Sequence, residues 1–147
     1  MYFDVDFKKE KPDWQGFEKA TGDVFESFGY KTMRDVRFKT TQRFQIDLIA
    51  YNDKMAFFID CKDHAYVAPQ KEEEFMIKQR VRAENFVKIN QKFVSLLKIN
   101  LLVTKNRANS LIMHKDNVGK ILSVDFNSLN ELLTNIWMYV DELPSFR

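Results

Sequence analysis

The sequence predicts an α/β fold in which a mixed central sheet is flanked by helices on both faces. Three observations carry this. Two alternating apolar runs, residues 45–51 and 55–62, flank an Asn-Asp pair and form a β-hairpin. Helical periodicity precedes them over residues 14–28 and follows them over residues 71–98. A short apolar strand at residues 99–104 comes after that second helix, and a helix between strands is the mark of a crossover connection.

The elements follow in order. In residues 14–28, Phe17, Ala20 or Thr21, Val24 and Phe28 recur at helical spacing, with Asp13 as the expected cap and Gly29 as the stop. Residues 30–40 form a polar, basic strand. The hairpin comes next, turning at Asn52-Asp53, and residues 64–70 form a loop. Residues 71–98 form one long helix or two in series. They begin with the Glu72-Glu73-Glu74 charge cluster, and their expected buried residues are Phe75, Val81, Phe86, Phe93 and Leu97. After the strand at 99–104, residues 107–113 are expected to be helical, 121–124 a strand and 127–139 a last helix.

A chain of 147 residues suggests one domain, residues 1–147, long enough to bury a core. With 45% hydrophobic and 30% charged residues the composition is that of a soluble globular protein. No apolar run approaches a membrane span, and "MYFDVDFKKE" is interrupted by acids, unlike a signal peptide. One cysteine excludes an intramolecular disulfide and fits a reducing compartment. The expectation is a cytoplasmic protein that does not engage a membrane, nucleoid-associated if it acts on DNA.

Net charge is only +2, but charge is unevenly placed. Residues 31–43 carry Lys31, Arg34, Arg37, Lys39 and Arg43 against Asp35 alone. Two readings are open: a basic side that meets nucleic acid, or an edge strand protected by charge. Under strict alternation Arg34 does not share a face with Arg37 and Lys39.

The chemistry centres on the stretch "IDLIAYNDKMAFFIDCKDH", where Asp47 and Asp60 stand among apolar residues and Lys62 follows. A four-residue turn places Asp47 opposite Asp60, and a two-residue turn places them diagonally. Both put Asp47, Asp60 and Lys62 on one face, leaving Ile46, Leu48, Phe57, Ile59 and Cys61 on the other, whereas a three-residue turn would separate the two acids. Converging carboxylates repel unless a cation sits between them, and Mg²⁺ suits their hard oxygens. Lys62 would then hold the attacking water and stabilise developing negative charge. A structural Asp–Lys ion pair at a sheet end is the competing reading. Cys61, on the apolar face, is expected to pack rather than to act as a nucleophile. One Cys and two His are too few for a Cys/His zinc site. His64 is open between facing a phosphate near the site and simple solvation, and Tyr66 between stacking on a base and ordinary packing, the second reading being preferred for each. Glu18 is open between an ordinary acid near a helix start and a site residue.

The order of these residues resembles the D…(D/E)xK signature of the PD-(D/E)xK nuclease superfamily, here Asp47 followed by Asp60-Cys61-Lys62. "GFEKATGDVFESFGYKT" resembles the helix entry of Mrr-like restriction endonucleases, and "INLLVTKNRANS" their later strand and loop. Archaeal-type Holliday-junction resolvases are similar in size. The departures are Asp60 where Mrr-like enzymes often carry Gln, and Ile46 before Asp47 where the signature has proline.

The resemblance implies a restriction-endonuclease-like sheet and a Mg²⁺-dependent endonuclease acting on DNA, with Mn²⁺ as a substitute metal. It also implies a homodimer, or a module of a larger restriction or repair complex. Asp47, Asp60 and the Cys61 carbonyl would be metal ligands, Glu18 an assisting helix acid and Lys62 the catalytic lysine. The alternative function is a non-catalytic nucleic-acid-binding or scaffold module on the same fold.

Overall fold

The computed structural model describes residues 12–62, 69–105, 111–116, 119–139 and 145–146. Helix α1 (Pro12–Ser27) begins at Pro12 rather than behind an Asp13 cap; proline is favoured in the first turn because its missing N–H has no intrahelical partner there. Its buried face carries Phe17, Glu18, Thr21 and Phe25. The helix ends where Gly29 takes φ +91°, a left-handed conformation that costs glycine little. The Gly29 N–H then donates to the Glu26 carbonyl and the Tyr30 N–H to the Phe25 carbonyl. The Tyr30 ring closes this Schellman motif edge-on to Phe25, 5.5 Å between centroids.

Strands β1 (Lys31–Lys39), β2 (Arg43–Tyr51) and β3 (Met55–Lys62) form an antiparallel meander. The β2–β3 turn is held by Asn52, whose Oδ1 accepts from the N–H groups of Lys54 and Met55. Tyr51 pairs with Ala56, the register of a four-residue connection. Helix α2 (Pro69–Ile89) crosses over to β4 (Leu97–Thr104), which is parallel to β3. Strands β5 (Leu111–Asp116) and β6 (Gly119–Asp125) form a hairpin, with β6 parallel to β4. The order is β1-β2-β3-β4-β6-β5, and β7 (Ser145–Phe146) pairs antiparallel with the start of β4. Two short helices, α3 (Leu129–Thr134) and α4 (Ile136–Tyr139), complete the described chain.

Helices pack on both faces of the sheet. On one, Phe17 and Phe25 of α1 and Leu129, Leu132, Leu133 and Ile136 of α3 and α4 cover Leu48, Phe57, Ile59, Cys61, Leu101 and Val103. On the other, Ala83 and Phe86 of α2, with Phe93 and Leu96, cover Ile46, Ile49, Ala56 and Phe58. Among the described residues no helix is long and apolar enough to cross a membrane.

Several expectations are corrected. The helix expected to reach residue 98 ends at Ile89, and a 3-10 turn at Gln91–Phe93 leads into β4. Val81 is exposed, and among the described α2 side chains the buried ones are Gln79, Ala83 and Phe86, because the helix is rotated relative to the all-apolar reading. Residues 111–113, expected to be helical, lie in β5, where pairing with β6 overrides local propensity. The last helix is broken at Asn135. Ile46 packs on the α2 side with Phe58, opposite Leu48, which breaks the alternation. His64, Tyr66 and most of the expected 64–70 loop lie outside the described residues.

Candidate active site

The site lies where β2 and β3 part. Their ladder runs from Tyr51↔Ala56 to Leu48↔Ile59 and stops there. Beyond that point β2 stays with β1 as far as Arg43↔Lys39, and β3 stays with β4 as far as Lys62↔Thr104. Asp47 and Asp60 are the first residues past the fork. The Cys61 N–H, past the end of the β2–β3 ladder, donates to Asp47 Oδ2 at 3.0 Å. The carboxylate of Asp47 thus replaces a strand carbonyl and is fixed in the gap, where the charge of Asp60 acts on it.

Asp60 is buried, and its Oδ2 lies 3.6 Å from Lys62 Nζ, the two residues sharing the α2 side of β3 by alternation. Lys62 is one-quarter exposed and lies over the Phe75 ring of α2, 4.0 Å from its centroid. The ammonium therefore faces both carboxylate and solvent.

Glu18 approaches from the α1 side. Gly22 stands over Leu48 of β2, a Cβ there lying 3.6 Å from Leu48 Cδ1, so the helix runs close to the strand. One turn earlier, Glu18 reaches the level of Asp47. It is 4% exposed, and its Oε2 has no hydrogen-bond partner among the described residues. Burial first, then the Asp47 charge, raises its pKa to about 8, against the opposing pull of Arg34. Burial and the Asp60 charge likewise raise the pKa of Asp47. Without a cation, the site keeps protons that ordinary carboxylates would release.

Cys61 is buried on the apolar face, as expected; burial followed by the Asp47 charge pushes its thiol up, the reverse of nucleophile activation.

Among the described residues no three His, Cys, Asp or Glu side chains already close around one point. The donor set is instead two carboxylates placed across the fork from each other and a third, Glu18, whose Oε2 is unpartnered among the described residues. That set fits Mg²⁺, which typically takes one or two carboxylates and keeps several waters.

Two polar residues of this region escape sequence reading. Gln79 lies one turn beyond Phe75 on α2, fully buried, with Nε2 unpartnered among the described residues while its Oε1 accepts from Arg82. Thr104, opposite Lys62, is also buried, and its Oγ1 has no partner among the described residues. The one signal for Gln79 is its i,i+4 spacing from Phe75 on the buried stripe.

The basic segment is resolved into two sides. Arg34, Arg37, Lys39 and Arg43 share the α1 side of the β1–β2 ribbon. Lys31, opposite Tyr51 of the α2-side cluster, lies on the other. This overturns the expectation that Arg34 cannot join Arg37 and Lys39. The reason is Asp35, at φ +51°, which resets the alternation.

No curated protein matches the sequence. Among solved structures, one titled "Protein of Unknown Function AF1548" is similar at 16% identity and TM-score 0.46, covering 60% of this chain and 46% of its own. The family model of the nuclease-related domain matches residues 14–121, which hold α1 from its third residue onward, the fork and every residue placed at the site. The chain therefore belongs to the nuclease-related domain family, part of the restriction-endonuclease-like PD-(D/E)xK superfamily.

Proposed function

We propose that the protein is a Mg²⁺-dependent deoxyribonuclease that hydrolyses phosphodiester bonds, with Mn²⁺ as a substitute metal. The observation that carries this reading is the convergence of Asp47 and Asp60 at the fork with Lys62 beside them. Asp47, Asp60 and the Cys61 carbonyl hold the cation, which when bound supplies Lewis-acid polarisation of a phosphoryl oxygen. Asp47 is kept in place by the Cys61 N–H. Lys62 orients the attacking water and stabilises negative charge growing on the phosphoryl oxygens. Glu18 lends a third carboxylate from α1, and its nearness to Arg34 ties the site to the basic ribbon. A homodimer presenting two such sites would cut both strands of a duplex or of a junction.

The test is digestion of linear duplex, single-stranded, flapped and four-way DNA with Mg²⁺, Mn²⁺ or EDTA, with products resolved on denaturing gels. Cleavage that requires the metal supports the proposal. Tight binding with no cleavage of any substrate under either metal overturns it in favour of a binding module.

A further inference from the structure

The register of β1 against β2 runs unbroken from Lys31↔Tyr51 to Lys39↔Arg43, except that Asp35 and Asp47 face each other without joining the ladder. Asp35 occupies the left-handed region at φ +51°, which Asp tolerates better than most residues. Each strand thus carries one residue out of the ladder, and in both the alternation resets at the same level. Met33 and Val36 both pack toward α2, as do Ile49 and Ile46. On the opposite side this brings Arg34, paired with Leu48, into line with Arg37, paired with Gln45, and with Lys39, paired with Arg43.

Asp35 also orients the line. Its Oδ1 accepts from Arg37 Nε at 3.0 Å and from Gln45 Nε2 at 2.6 Å. At one end of the line Arg34 acts on Glu18, so the cations begin at the carboxylate site. They extend from it for about 16 Å of strand. Of the three aromatic residues of the same ribbon, Phe38 and Phe44 are stacked on each other, with Phe38 turned to the α2 side against Phe86, and Tyr51 packs on the same side against Phe93. Among the described residues, alternation leaves cations and an amide on this face of the ribbon, and no ring of the ribbon for a base to stack on.

We infer that this face of the β1–β2 ribbon is a single phosphate track for duplex DNA, assembled by the left-handed residue Asp35 and leading into the carboxylate fork. It rests on the nuclease reading for its direction but not for its binding. Cations without stacking rings hold a polynucleotide by its backbone, the part a duplex presents outward. Single-strand sites characteristically add aromatic platforms. The contact carries no sequence information, so specificity must come from elsewhere on the molecule.

The experiment is fluorescence-anisotropy binding to a short duplex and to one of its strands in EDTA, over a range of salt concentrations. The proteins are wild type and the variants Arg34→Gln, Lys39→Gln, Arg43→Gln and Lys31→Gln, with a thermal melt to verify folding. For the duplex, each of the first three should reduce the magnitude of the log K against log salt slope by about 0.9. Lys31→Gln, on the other side, should leave the slope unchanged, and the single strand should bind more weakly. The inference is overturned if Lys31→Gln changes the slope as much as Arg34→Gln, or if the single strand binds as tightly as the duplex. Because metal is absent, the outcome is independent of cleavage. The predicted slopes with no cleavage in Mg²⁺ would sink the nuclease reading alone, and cleavage with unchanged slopes would sink the track alone.

Discussion

Replacing Glu18 by Gln should stabilise the metal-free protein at high pH. Gln has the shape of the protonated acid and no charge to desolvate. In the folded protein Glu18 holds its proton up to about pH 8, whereas its ordinary value is 4.5. Below pH 4.5 both folded and unfolded chains are protonated and the residue carries no ionisation penalty. Between 4.5 and 8 the unfolded chain releases the proton while the folded chain retains it, so this residue's contribution to stability falls as pH rises. Above pH 8 the loss is complete. The difference of about 3.5 pH units sets a ceiling of about 5 kcal/mol for the penalty at pH 9. Urea unfolding of wild type and Glu18→Gln in EDTA at pH 5, 7 and 9 measures it. The variant should gain little at pH 5, more at pH 7 and most at pH 9, and Mg²⁺ should narrow the gap by neutralising the site. An equal gain at all three pH values, or no gain at pH 9, would refute the burial-and-charge reasoning.

Three further outcomes are expected. Asp60→Asn should lose Mg²⁺-dependent cleavage by weakening metal binding, so that raised Mn²⁺ restores part of the rate in a cleavage titration. Gly29→Ala should cost about 1 kcal/mol in chemical denaturation, because φ +91° is strained for any residue with a Cβ. Lys98→Ala should cost more than about 2 kcal/mol in the same assay: the buried Lys98 ammonium donates to the carbonyls of Val94 at 2.9 Å and Leu96 at 2.8 Å, which would lose their partner.

The hairpin and α1 were legible in the sequence because their signals are local: alternation on either side of Asn52, and a helical period ending at Gly29. Counting residues through that turn left Asp47 and Asp60 either diagonal or opposite; the four-residue connection from Tyr51 to Ala56 makes them opposite. The fork itself was not legible. It depends on β3 leaving β2 for β4, a long-range pairing with no local signature. The exchange of faces at Ile46 was hidden because a single left-handed Asp35 leaves no mark in composition or period. Gln79 escaped because a polar residue on a helix is ordinarily assigned to solvent. The β5–β6 hairpin escaped for a different reason: residues 107–113 have no β-branched run, and β5 is a strand through its partner β6.

The central claim is that the fork formed by Asp47, Asp60 and Lys62 is a catalytic site, and Lys62→Ala tests it most directly. Lys62 ends its strand partly exposed, so folding and duplex binding should be nearly unchanged, verified by thermal melt and by anisotropy in EDTA. Its work is done as charge builds on the phosphate, so the single-turnover rate of duplex cleavage in Mg²⁺ should fall by about 10²–10³ or more. Cleavage by Lys62→Ala at the wild-type rate would contradict the account and leave Lys62 and Asp60 as a structural ion pair.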